Sequence, residues 1–103
     1  MKWNPNDEND KRVVEHTDWL NIKDYRSFQD RAGVYIFADE EKDVKYIGTA
    51  GAGRIVDEIS DAISRGKDSG ATKVKVLYTN SSNDAASLES DLIDKYRPPN
   101  NKT

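Results

Sequence analysis

The chain has 103 residues, no cysteine, a formal net charge of −3 and a sequence pI near 5.1. That length makes one domain with a modest core, the missing cysteines exclude disulfides and thiolate metal sites, and the acidic balance excludes a protein that holds nucleic acid through bulk charge. No apolar run approaches the ~20 residues needed to cross a bilayer and residues 1–5 lack the apolar stretch of a secretory signal, so a cytoplasmic or otherwise intracellular protein with no membrane contact is expected.

In chain order, residues 4–10 are polar with nothing to bury and are expected as a flexible leader. From Val13 to Phe28 the apolar residues recur irregularly, and the Ile22, Tyr25, Phe28 spacing suggests a short helix. Residues 1–31 are thus expected to be leader and accessory segment, ahead of the main unit at 32–103. Gly33 to Ala38 is a continuous apolar run rich in β-formers, the pattern of a central strand covered on both faces. Residues 39–43 make a polar turn and Val44 to Gly48 returns as its partner.

A small-residue loop, Thr49 to Gly53, precedes a helical stripe of Ile55, Val56, Ile59, Ala62 and Ile63 that ends near Gly66. Val74, Val76 and Tyr78 alternate with Lys73, Lys75 and Thr79, the period of a half-exposed strand. Residues 81–84 supply N-cap types for a second helix running to about Tyr96, stopped by Pro98. The order is hairpin, helix, strand, helix: an α+β fold with a small three-stranded antiparallel sheet flanked by helices.

Two positions do not fit a purely structural pattern. In the last helix Ala85, Leu88, Leu92, Ile93 and Tyr96 form a buried stripe, and at ~100° per residue Glu89 projects into the middle of it. An unpaired carboxylate there costs several kcal/mol or takes up a proton, so Glu89 implies a cation, either Arg54 or Lys73 in an ion pair or a metal. Arg54 opens its helix, where the macrodipole disfavours a cation; it is either a tolerated exposed residue or a guanidinium aimed at a phosphate. Tyr35 and Tyr46 are expected as cross-strand neighbours on the hairpin, a pairing that by itself is usually packing. His16, the sole histidine, falls in the accessory segment and is taken as incidental.

Gly33-Val34-Tyr35, Tyr46-Ile47-Gly48, Arg54, Glu89 and the closing Pro98-Pro99-Asn100-Asn101 together resemble the GIY-YIG nuclease superfamily, as found in the N-terminal domain of excision-repair nucleases and the catalytic domain of homing endonucleases. The resemblance runs from about Gly33 to Asn101. It implies a divalent-metal-dependent endonuclease cutting DNA phosphodiesters. Tyr35 and Tyr46 would contact or deprotonate the attacking water, Arg54 would stabilise charge on the phosphate, Glu89 would hold Mg2+ or Mn2+, and Asn101 would position the end of the site. Gly33 and Gly48 are its structural glycines. The loop before Arg54 is about two residues shorter than usual in such proteins; without that gap Val56 would take the arginine position. The alternative is a non-catalytic module of the same fold that binds nucleic acid or protein.

Charge is balanced along the chain, six Lys/Arg against seven Asp/Glu in residues 1–31 and ten against twelve in 32–103, so any basic surface is local. Lys45, Arg54, Lys73, Lys75 and Arg97 are the cations expected to meet DNA. A targeting partner or a homo-oligomer would compensate for the acidic surface.

Overall fold

The computed structural model describes residues 1–101; the last two positions of the 32–103 unit, Lys102 and Thr103, lie outside the described residues. Five strands form one antiparallel sheet: β1 (Val13–His16), β2 (Leu20–Asn21), β3 (Gly33–Ala38), β4 (Val44–Ala50) and β5 (Lys73–Thr79). The order is β1-β5-β3-β4, with β2 also paired to β5. Helix α1 (Ile55–Ser64) covers one face and α2 (Ser82–Tyr96) the other, so β3 is buried along its whole length, as its apolar run requires. None of the helices is long and apolar enough to cross a membrane among the described residues.

The N-terminal third departs from expectation. Instead of lying free, residues 5–9 form a 3-10 turn, and Trp3 is buried, stacked on Tyr96 with ring centroids 5.2 Å apart. The Trp3 indole donates to Glu8 at 2.7 Å and Tyr96 donates its hydroxyl to Asp7, which ties the leader to the end of α2. Val13–His16 and Leu20–Asn21 then extend the sheet from three strands to five. The expected helix at Ile22 to Phe28 is a 3-10 helix, Ile22–Ser27, with Tyr25 buried against the α1 side of the core.

These added strands also change β5. Read as half-exposed, it is an interior strand with both faces covered, and Lys75 is 4% exposed. A buried ammonium needs partners, and Lys75 has them: it donates to the Thr17 carbonyl, faces Glu8 at 3.3 Å and lies 5.5 Å from the Trp19 ring centroid.

Register fixes what each face presents. Along the hairpin Tyr35 pairs with Gly48, Ile36 with Ile47 and Phe37 with Tyr46, and then Ala38 pairs with Val44, leaving Lys45 as the extra residue of a bulge. The bulge changes the alternation, so Val44 and Ile47 pack toward α2 while Tyr46 lies on the α1 side with Tyr35 and Phe37.

Candidate functional site

The tyrosines are brought together, but diagonally. Tyr35 sits opposite Gly48 and Tyr46 opposite Phe37, with the Tyr35 and Tyr46 rings 6.1 Å apart on one face of the sheet. The two tyrosines are the cross-strand neighbours expected from the sequence, offset by two residues rather than directly opposed. This register explains both glycines. A Cβ on Gly48 would overlap Cζ and the hydroxyl oxygen of Tyr35, and one on Gly33 would stand 2.6 Å from the Leu77 carbonyl oxygen of β5. Only a bare backbone lets the Tyr35 ring lie across β4.

The two phenols differ. Tyr35 is 2% exposed and donates to the Glu58 carbonyl at 3.3 Å. Burial pushes its phenol well above the usual range, the neighbouring Tyr46 and the Glu58 and Glu89 carboxylates add to this, and Arg65 opposes it. Tyr35 therefore stays a neutral hydrogen-bond donor. Tyr46 is only half-buried, and among the described residues its hydroxyl makes no hydrogen bond. Of the two, Tyr46 is the phenol left open to a ligand.

Glu89 comes from α2, whose start is set by Ser81 accepting from the Asp84 N–H at 3.1 Å, the N-cap expected from the sequence. Its carboxyl is half-buried and raised above the ordinary 4.5 by burial alone. Among the described residues it has neither an ion pair nor a hydrogen bond. The pairings weighed from the sequence are not formed, because Arg54 faces Asp57 at 3.5 Å and Glu58 at 3.4 Å, and Lys73 donates to Asn21 at 2.7 Å and faces Glu40 at 4.0 Å. A single carboxylate with no protein cation suits a largely hydrated Mg2+ rather than a protein cage. No group of three His, Cys, Asp or Glu that could hold a metal ion gathers among the described residues.

Arg54 stands at the N-cap of α1, about half-exposed and bonded to its own helix at i+3 and i+4. The cap itself comes from elsewhere: Asp30 accepts from the Val56 N–H at 2.9 Å, and its backbone carbonyl accepts from the Gly53 N–H at 3.0 Å. Asp30 thus puts at the helix N-terminus the negative charge that Arg54 cannot. No local pattern marks it, since it lies 26 residues upstream.

Asn101 closes the site from the C-terminal side. Its amide accepts from the Ile47 N–H and donates to the Ile47 carbonyl, both at 2.9 Å, as a neighbouring strand would. It thereby pairs the open edge of β4 beside Tyr46. Asn101→Ala should cost about 1–2 kcal/mol and speed exchange of the Ile47 amide hydrogen. Denaturant unfolding with hydrogen exchange checks this; unchanged protection at Ile47 would contradict it.

Of the cations expected to meet DNA, Lys75 is buried and serves the core, a correction that follows from β5 being interior. Lys45 faces Asp39 at 4.0 Å, and Lys73 and Arg54 are paired as described. Arg97 lies in the left-handed region at φ 45° after α2 and lines a cavity of about 300 Å3 with Ile93, Asp94, Pro98 and Asn101. Sequence reasoning missed Arg65 and Lys67, which follow α1. Among the described residues neither has a carboxylate partner, and the Lys67 ammonium lies 5.8 Å from the Tyr46 ring centroid. The helix stop at Gly66 is the one sequence signal near them.

No protein-family model matches the chain, and no curated protein matches it significantly. Solved structures do. The fold is similar to that of the GIY-YIG N-terminal endonuclease domain of UvrC from Thermotoga maritima, bound to magnesium as its catalytic divalent cation, at 26% identity and a TM-score of 0.67, covering 78% of this chain and 93% of that one. An asparagine-to-alanine point mutant of that domain, bound to its catalytic divalent cation, matches at 25% identity and a TM-score of 0.65 over 76% of this chain and 90% of that one. A tyrosine-to-phenylalanine point mutant matches at 25% and 0.66, over 79% and 93%.

Proposed function

On the premise that this chain has the GIY-YIG nuclease fold, we propose that it is a divalent-metal-dependent endonuclease hydrolysing DNA phosphodiester bonds. The observation that carries the reading is Glu89, a half-buried carboxylate with no ion pair or hydrogen bond among the described residues. A fold gains nothing from such a group, so a bound cation is its natural complement.

In this reading Glu89 holds Mg2+ (or Mn2+), which when bound supplies charge neutralisation at the phosphate. Tyr35, fixed by Gly48 beneath its ring and by the Glu58 carbonyl to which its hydroxyl donates, offers its ring as a wall beside Tyr46. Tyr46 is the phenol free to accept a hydrogen bond from the attacking water and orient it, and it takes the proton of that water only after releasing its own to solvent. Asn101 keeps the β4 edge, and with it Tyr46, in place. Arg54 would reach a phosphate only by leaving Asp57 and Glu58, an exchange that exposed pairs make at little cost. With a net charge of −3, DNA contact is shallow, and a targeting partner or self-association adds the missing affinity.

The experiment is nicking of supercoiled, linear and branched DNA with Mg2+ or Mn2+. Metal-dependent nicking that EDTA stops is expected; no cleavage of any substrate would favour a module that binds without cutting. That second reading is supported by Arg54 being held by its own helix.

A further inference from the structure

We infer that Lys67, on the loop after α1, is the side chain that meets a nucleic-acid phosphate at the Tyr46 end of the site. The identity of the ligand as a phosphodiester rests on the nuclease reading; the placement of the cation does not.

The position of Lys67 is set by the way α1 ends. Gly66 takes φ 76°, its N–H donates to the Ile63 carbonyl at 2.9 Å, and the Lys67 N–H donates to the Ala62 carbonyl at 3.0 Å. This is the paired hydrogen-bond pattern of a left-handed glycine cap, and it turns the chain back toward the sheet. The closing tail then fixes Lys67 a second time. The Asn100 amide donates to the Lys67 carbonyl at 2.9 Å and to the Ser69 carbonyl at 2.8 Å, while the Lys67 ammonium donates to the Asn100 carbonyl at 3.5 Å. Asn101, the next residue, grips Ile47 beside Tyr46. Loop, tail and β4 edge are thus joined around the phenol that remains open.

Availability separates Lys67 from four of the five cations expected to meet DNA; Arg97, like Lys67, has no carboxylate partner among the described residues, but it makes no contact with the Tyr46 ring. Lys45, Arg54, Lys73 and Lys75 each face a carboxylate, so meeting a phosphate would require breaking a pair. Lys67 has no carboxylate partner among the described residues. Its ammonium has three donors and spends one on a long bond to a carbonyl, leaving two for an anion. Arg65, two residues earlier and likewise without a carboxylate partner, adds charge of the same sign.

The test is binding of a short fluorescent DNA duplex in EDTA across a range of salt concentrations. Lys67→Ala should weaken binding about 5- to 10-fold and reduce the log-log salt slope by about one, the signature of one lost phosphate contact. Lys67→Gln, which keeps length and polarity, should behave like Lys67→Ala with unchanged thermal unfolding, and Lys67→Arg should restore both quantities. Lys23→Ala, an exposed lysine on the Ile22–Ser27 turn, serves as the control and should change neither. Unchanged affinity and slope in Lys67→Ala and Lys67→Gln, or no DNA binding by the wild type at any salt, overturns the inference. Binding that depends on Lys67 without nicking counts against the hydrolytic reading alone.

Discussion

Glu89→Gln is expected to lower Mg2+-dependent nicking on the order of 10³-fold while leaving the metal-free protein as stable as the wild type, or more so. The two effects have one cause. Burial, with no cation beside it, makes the ionised carboxylate unfavourable in the fold and raises its pKa above 4.5. The sign of the pH dependence follows. Below 4.5 the group is protonated in both folded and unfolded chains and costs nothing; the penalty grows as pH rises toward the raised folded value and is complete above it. The wild type should therefore lose stability relative to Glu89→Gln across that interval, and Mg2+ should return it. Denaturant unfolding of both proteins against pH, with and without Mg2+, reads all of this. A buried ion pair would give the opposite result, a loss of about 3–5 kcal/mol on substitution.

Gly48→Ala should be the most damaging single-methyl change in the hairpin. The added carbon would overlap the Tyr35 ring, which is buried and packed 5.4 Å from Phe37 and 6.1 Å from Tyr46 between centroids, so the ring has no room to withdraw. Overpacking of this kind costs about 2–3 kcal/mol, and nicking should fall with it because Tyr35 loses its place. A double-mutant cycle isolates the cause. Tyr35→Leu shortens the side chain, so Gly48→Ala should cost much less in that background. Equal cost in both backgrounds would mean that the glycine is needed for some other reason.

How much of this was legible in the sequence depended on the range of the interaction. The all-buried β3, the Ser81 cap and the α2 stripe interrupted by Glu89 are local patterns, and period and capping chemistry are enough to read them. The N-terminal strands were missed because β1 and β2 hold four and two residues, too short for a period. Their anchor, Trp3 on Tyr96, joins opposite ends of the chain. Lys75 was misplaced for the same reason, since nothing near it in sequence announces the cover supplied by Glu8, Thr17 and Trp19.

The site shows the same division. Glu89 could be located by helical phase, but whether Arg54 or Lys73 reached it was a question of tertiary placement. The preference of Arg54 for Asp57 and Glu58 at i+3 and i+4 was written in the sequence, and it competes directly with a role at the phosphate. Lys67 was invisible because its position depends on Asn100, 33 residues away. The one-residue bulge at Lys45 sets the register that places Gly48, rather than Ile47, opposite Tyr35, and no local pattern announces it.

The central claim, that Glu89 holds a divalent cation beside Tyr35 and Tyr46, is tested most directly by anomalous diffraction from crystals of the wild type and of Glu89→Gln grown with Mn2+. The expected result is a peak at coordination distance from the Glu89 carboxylate, on the side of the two phenols, that disappears in Glu89→Gln. A wild-type crystal with no peak there at a Mn2+ concentration that supports nicking, or a peak that survives the substitution, would contradict it.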